Sequence, residues 1–258
     1  MSNVVLSEKR SRVHWITINR PERKNALDRE TILALREHFT ESGKDTDTRV
    51  VVLTGAGSAF CSGADLRSGQ NESAPANEDI LEAGFNATIR NLWNLPKPVI
   101  AAIGGVAAGY GCSLALAADI RLASTAARFS LLFVKRGLTL DGGASYLLPR
   151  LAGLRGIEMA LTGDVVNVEE AFRLGFVNRI IAEAEFQTQV ATYAECLAKN
   201  APLALAAIKA SIHKALTSTL DDTLTLEMNE QRRISKTEDC REGIAAFLEK
   251  REPVYKGK

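Results

Sequence analysis

The sequence predicts an α/β region that gives way to an all-helical C-terminal part, and three observations carry that prediction. Residues 99–121, VIAAIGGVAAGYGCSLALAADIR, run from an apolar strand through glycines and small residues into an apolar helix. A second turn of this kind, GAGSAFCSGADLR at 55–67, follows the strand-like run RVVVLTGAG. From about residue 183 onward the apolar spacing is helical only. With 258 residues and 46% hydrophobic content, the chain is long enough to bury a sizeable core.

Alternating residues in VVLSEKRSRVHWITINR predict an N-terminal antiparallel hairpin, and NRPERKNALD a loop leading to a helix of about 28–42 capped by Asp28. Residues 49–54 read as a strand, 67–78 as a polar loop, and about 78–94 as a helix, after which Pro96 and Pro98 punctuate the approach to the next strand. A helix over 110–118 precedes the strand DIRLAS, short segments around ARFSLLF, the turn and helix of GLTLDGGASYLLPRLAG, and a helix–strand pair over 167–181. Pro202, Asp221 and Asp222 mark helix starts in the C-terminal part. Leu220, Leu224, Leu226, Ile234, Ile244, Phe247 and Leu248 make its last helices too apolar for a thin cap, so they are expected to pack against another subunit as well as their own core.

Composition removes several functions. Lys and Arg (32) balance Asp and Glu (31) and are scattered, which argues against a nucleic-acid partner. The longest apolar stretch, 98–120, contains four glycines and reaches Asp119, and MSNVVLSEKR lacks the layout of a signal peptide; no membrane association and a cytoplasmic location are expected. Cys61, Cys112, Cys196 and Cys240 are far apart, and only His14, His38 and His213 are available to join them, so no metal site and reduced thiols are expected. Cys61 and Cys112 flank the glycine turns, but no nearby His is offered to activate either as a nucleophile.

The glycine turns carry the chemistry. Each places backbone N–H groups at a strand-to-helix junction, where the helix dipole is positive, and two such turns can direct donors at one oxygen, the material of an oxyanion hole. Neither turn fits GxGxxG and no Walker lysine follows, so a dinucleotide or nucleotide site is disfavoured. Asp141, in LTLDGG, has two readings: an N-cap for the helix that follows, or a lone carboxylate whose pKa rises in an apolar pocket and which carries a proton between carbons.

In order, NRPERKNALD, LTGAGSAFCSGADL, IAAIGGVAAGYGCSLALAADIRLAS, GLTLDGGASYLLPRLAG, LTGDVVNVEEAFRLGFVNRI and REGIAAFLEKR closely resemble the enoyl-CoA hydratase/isomerase (crotonase) superfamily over nearly the whole chain. The resemblance implies a crotonase-like spiral of ββα units, an acyl-CoA-binding core over 1–195, and a helical oligomerisation region over 196–258 that forms trimers or dimers of trimers. It implies no cofactor beyond the coenzyme A of a thioester substrate. The oxyanion donors it implies are the N–H groups of Ala64 and Tyr110; Tyr110 replaces a small residue and is expected to narrow the acyl pocket. Coenzyme A contacts are implied for Lys24, Ala26, Leu27, Asp65, Leu66, Arg67, Phe247 and Lys250. Phe133, Leu138 and Leu140 are expected to dry the pocket, and the 67–90 segment and the helix carrying Ser145 and Tyr146 to shape it.

Departures from the family pattern refine the expectation. Hydratases of the superfamily use two glutamates, at positions that here hold Ser113 and Phe133, which leaves Asp141 as the catalytic candidate. One carboxylate plus an oxyanion hole suits isomerisation of a double bond or a ring epoxide, and the pattern is most similar to isomerases that rearrange the ring epoxide of an aromatic acyl-CoA. The related dehalogenases use Asp at this position with His and Trp partners, where this chain has Asn86 and Phe133. The competing readings are an enoyl-CoA hydratase or hydrolase with a second, unidentified group, and a non-catalytic acyl-CoA-binding subunit.

Overall fold

The computed structural model describes residues 3–67 and 80–258. The N-terminal hairpin forms as expected, β1 (Val5–Arg10) pairing antiparallel with β2 (Val13–Ile18). The helix α1 (Arg29–Lys44) starts at Asp28, whose carboxylate accepts from the Thr31 N–H, and it buries Ile32, Leu35 and Phe39. Next to β2 lies β3 (Val50–Gly55) in parallel, and its apolar run is continuous because both of its faces are covered. Val51 and Leu53 enter the main core, while Val50 and Val52 face the other way.

From β3 onward the chain repeats one step. β3 leads to β4 (Ala59–Cys61), β5 (Val99–Ile103) to β6 (Val106–Ala108), and β7 (Ile120–Ser124) to β8 (Arg128–Ser130). The first strand of each pair joins one sheet and the second joins another, and a helix then returns the chain: α2 (Ala87–Trp93), α3 (Tyr110–Ala117) or α4 (Ala144–Thr162). After β9 (Val165–Asn167), α5 (Val168–Arg173) and β10 (Arg179–Ile181), the larger sheet has the order β1-β2-β3-β5-β7-β10 and the smaller one β4-β6-β8-β9. This is the spiral of ββα units. The alternation places the ends of β4 and β6 side by side, so the two glycine turns that follow them meet.

Two expected elements differ in detail. The helix expected over 78–94 is a π-helical turn over Leu81–Asn86 that runs into α2. The 67–78 loop lies, apart from Arg67, outside the described residues. In α4 the backbone leaves helical geometry at Gly153 (φ 53°, ψ −139°), so the helix is two pieces.

Beyond β10 the described structure is helical, with α6 (Phe186–Ala198), α7 (Pro202–Ala215), α8 (Leu220–Ile234) and α9 (Glu238–Glu249). The helix α6 covers the second face of the larger sheet, packing Phe186, Val190 and Ala194 with Val50, Val52 and Ile100; the 195/196 division falls inside it. Buried Lys209 anchors α7 through an ion pair to Asp119 (2.8 Å), and His213 stacks on Trp93 at 3.6 Å. The start of α8 is set by Thr219, which forms a capping box with Asp222. In the single chain Leu220, Leu224, Ile244, Phe247 and Leu248 are exposed. No helix among the described residues is long and apolar enough to cross a membrane.

The hairpin also buries a histidine. His14 Nδ1 lies 2.7 Å from Ser42 Oγ and Nε2 lies 2.8 Å from Ser7 Oγ. Ser42 gives its single hydroxyl proton to the His38 carbonyl, which assigns Nδ1 as the donor and Nε2 as the acceptor from Ser7. Burial lowers the pKa of His14 from 6.5 to about 4; the Lys9 and His38 charges act with it, and Asp45 and Glu41 oppose it. Between these values the unfolded chain binds the proton and the folded chain does not. Stability is therefore full above pH 6.5 and falls as pH drops toward 4, by up to about 3 kcal/mol. The urea midpoint is expected to fall between about pH 7 and about pH 4.5, and to fall less in His14→Gln; equal slopes would refute the assignment.

Candidate active site

The turn after β4 approaches the turn after β6 at Gly63 and Gly109. A Cβ on Gly63 would stand 2.9 Å from the Ala108 carbonyl oxygen and 3.4 Å from the Tyr110 nitrogen. Both glycines have positive φ, 98° at Gly63 and 53° at Gly109, and the Gly109 combination with ψ −129° belongs to glycine. These conformations aim the next residue's N–H in each turn. A parallel bridge joins Leu27 to Ala64 through Leu27 N–H to Gly63 O (2.8 Å) and Asp65 N–H to Leu27 O (2.9 Å), which turns the Ala64 N–H away from that strand. Tyr110 is the first residue of α3, where an N–H has no intrahelical acceptor. Neither N–H is taken by another group among the described residues.

The third component reaches the same place from α4. Asp141 is not the N-cap: that position is Gly143, and the Asp141 contribution is its backbone carbonyl, which accepts from Ala144 N–H at 3.1 Å. Gly142 (57°) and Gly143 (77°) both have positive φ, and no side chain caps the start of α4. Its Oδ1 is buried without a hydrogen-bond partner among the described residues, and burial raises the pKa from 3.8 to about 6. Gly142 seats this turn on α3: a Cβ there would be 2.7 Å from Ser113 Cβ and 3.0 Å from the Tyr110 ring.

The two positions that would carry glutamates flank the same turns. Ser113 is fully buried, its Oγ 3.4 Å from the Gly109 carbonyl, and buried Phe133 has its Cζ 3.9 Å from where a Gly109 Cβ would be. Cys61 and Cys112 are neutral thiols here, burial pushing each up to about 12.

Other expected residues separate into two places. Lys24, Ala26 and Leu27 form a turn beside Ala64, Asp65, Leu66 and Arg67, with Lys24, Ala64, Leu66 and Arg67 exposed at its rim. Leu138 is exposed and Leu140 half-buried on the segment before Asp141, and half-buried Tyr146 follows it in α4 beneath the Arg150 guanidinium (3.7 Å). Phe247, 82% exposed, and Lys250, at the end of α9, are held elsewhere. That helix is tied by Asp239 and Glu242 to the C-terminal segment Arg251–Gly257, and neither residue bonds to the Lys24 turn.

Sequence reasoning missed the braces. Arg20 pairs with Asp65 (3.0 Å) and Asp28 (3.1 Å), and buried Asn25 donates to the Ala56 and Ala59 carbonyls (2.9 and 2.7 Å), locking the first loop to the β3–β4 turn. Both lie in NRPERKNALD, so the signal was a polar pair inside a motif read for its ligand contacts. A cavity of about 400 Å³ lined by Trp93, Leu116, Leu147, Ile208 and His213 lies under α7, and Asp141 is not in its wall.

Two sheets wound in ββα steps present two unpaired N–H groups and one unpartnered carboxylate at the meeting of three turns, an arrangement chemically able to polarise a carbonyl group. The enoyl-CoA hydratase/isomerase family model matches residues 8–258, and the chain belongs to that family. It is similar to 1,2-epoxyphenylacetyl-CoA isomerase of Escherichia coli strain K12, with 38% identity over 262 residues and all of both chains covered. It also resembles the crotonyl-CoA hydratase of Syntrophomonas wolfei, at 34% identity with 98% of this chain and 97% of the relative covered. The crystal structure of an enoyl-CoA hydratase from Bacillus anthracis superposes with a TM-score of 0.92 at 32% identity, covering 99% of this chain and 100% of the other.

Proposed function

We propose that the protein is an acyl-CoA isomerase that moves a double bond, or opens a ring epoxide, next to a thioester. The observation that carries this reading is Asp141: a half-buried carboxylate whose buried Oδ1 has no hydrogen-bond partner among the described residues, at the junction of the two donor turns, where Ser113 and Phe133 offer no second carboxylate. In a β,γ-enoyl thioester, Asp141 takes the α-proton. The C–H electron pair moves into a dienolate whose oxygen receives the Ala64 and Tyr110 N–H bonds, and the protonated Asp141 then returns the proton to the γ-carbon. One such donor is typically worth about 3 kcal/mol. A carboxylate titrating near 6 is ionised at neutral pH yet basic enough to hold the proton briefly.

In this reading Lys24, Ala26, Leu27 and Asp65–Arg67 grip coenzyme A, and Phe133, Leu138 and Leu140 exclude water. Phe247 and Lys250 reach the coenzyme A of a neighbouring copy in a trimer or dimer of trimers, which would also cover the exposed faces of α8 and α9. The reaction needs no metal or redox cofactor, and the protein works in the cytoplasm. A purely acyl-CoA-binding role is disfavoured because a carboxylate with one buried, unpartnered oxygen is a destabilising feature that binding does not require.

The test compares two reactions by ultraviolet absorbance. Hydration of crotonyl-CoA, followed as loss of the conjugated thioester, is expected to be at least about a hundredfold slower than formation of conjugation from a β,γ-enoyl-CoA, because one general acid–base group accounts for a factor of that size. Equal rates would replace the isomerase reading with a hydratase that employs a second group.

A further inference from the structure

The side chain of Tyr110 does not project toward the rim of the site; it is 1% exposed and runs beneath the turns that form it. Its ring meets the Phe85 ring edge-on at 4.6 Å, and its hydroxyl donates to the Phe85 carbonyl at 2.8 Å. Phe85 lies in the π-helical turn, a local widening of the helix that offers this carbonyl to a group outside it. On its other side the ring supports Gly142, whose added Cβ would be 3.0 and 3.1 Å from ring carbons. One residue thus spans from the π-turn to the Asp141 turn. Its own N–H is meanwhile one of the two unpaired donors.

We propose that Tyr110 is a positioning and specificity-determining residue, its ring forming the hydrogen-bonded wall that seats the Asp141–Gly142 turn and closes the space behind it to large acyl groups. This inference rests on the proposed isomerase reading of the same site. Because the wall and the donor belong to one residue, an acyl group that displaces the ring also displaces the Tyr110 N–H. Selection by size therefore acts on the reacting geometry as well as on binding. The ring packs against Gly142, the residue next to Asp141, which places it beside the turn that carries the carboxylate, and no ion pair reaches Asp141 among the described residues.

The test uses the full chain with Tyr110→Ala, Tyr110→Leu and Tyr110→Phe, assayed on β,γ-enoyl-CoA thioesters from short unbranched to long-chain and phenyl-substituted. The kcat/KM ratio of bulky to short substrates is expected to rise at least about tenfold in the Ala and Leu variants, the scale of a change in an apolar pocket wall. Tyr110→Phe, which keeps the ring, is expected to hold that ratio within about twofold of the parent. The acid limb of kcat should move to lower pH in Ala and Leu as water reaches Asp141, a shift that a merely structural residue would not produce. If Tyr110→Ala lacks a cooperative melt, Tyr110→Leu decides. A ratio unchanged within about twofold in the folded variants, with an unmoved limb, overturns the proposal. The same acyl series as unreactive CoA thioethers, bound in a calorimeter, separates the two readings: absent wild-type turnover overturns the isomerase reading, and unmoved size selectivity in binding overturns this one.

Discussion

Asp141→Asn is expected to lower kcat for double-bond migration by at least about a hundredfold while changing the affinity for an unreactive acyl-CoA little, because the amide keeps the shape and loses the basicity. The wild-type rate should rise with pH through about 6 and then level, since the carboxylate must be ionised to take the proton. Stability carries the opposite sign. A carboxyl whose folded pKa is raised from 3.8 to about 6 favours the folded state least when charged, so its charge destabilises the fold at neutral pH by up to about 3 kcal/mol. The Asn variant should therefore melt higher than the parent at pH 7 and show little of that gain near pH 4. Activity within about threefold of the parent would remove Asp141 from the mechanism.

Gly63→Ala is expected to lower kcat by about 10²–10³, the effect of losing one oxyanion donor. The added methyl would meet the Ala108 carbonyl at 2.9 Å at a φ of 98°, so either the Gly63 turn or the Gly109 turn must move. Far-ultraviolet circular dichroism should be retained, and the acid limb near 6 should stay in place because Asp141 belongs to a third turn. An unchanged kcat would mean that the two N–H groups do not share an oxygen.

Much of this was legible from local signals. Strand, glycine turn and apolar helix are written in 99–121 and strand and glycine turn in 49–67, and both turns lie where the chain has them, although after the second no helix starts within the described residues up to Arg67. The alternation between two sheets was not written there, because β3 and β5 are buried on both faces and their residues read as uniform apolar runs. The resemblance supplied the spiral. Asp141 could be singled out, but whether it capped α4 depended on two successive glycines with positive φ, which the string DGGA does not specify. The Arg20–Asp65 and Asn25–Ala59 braces join residues 45 and 34 positions apart, beyond any local periodicity. The π-turn at 81–86 escaped because one extra residue per turn barely alters a helical apolar pattern over so short a span.

The two donors proposed at Ala64 and Tyr110 are main-chain atoms, and this governs how such a site can drift. Almost any codon change at either position leaves an N–H in place; proline is the one coded residue that deletes it. The turns demand glycine at the preceding residues, 63 and 109, so the constraint sits one position upstream of the group that acts. In the proposed mechanism the carbonyl-activating half keeps its N–H groups through sequence change, even where a new side chain at 110 resets the selection of acyl size, and the proton-handling half, a single side chain at 141, is free to be replaced. A lineage built on this scaffold can exchange one reaction for another through the side chains around position 141 without ever passing through a form that has lost the ability to polarise a thioester.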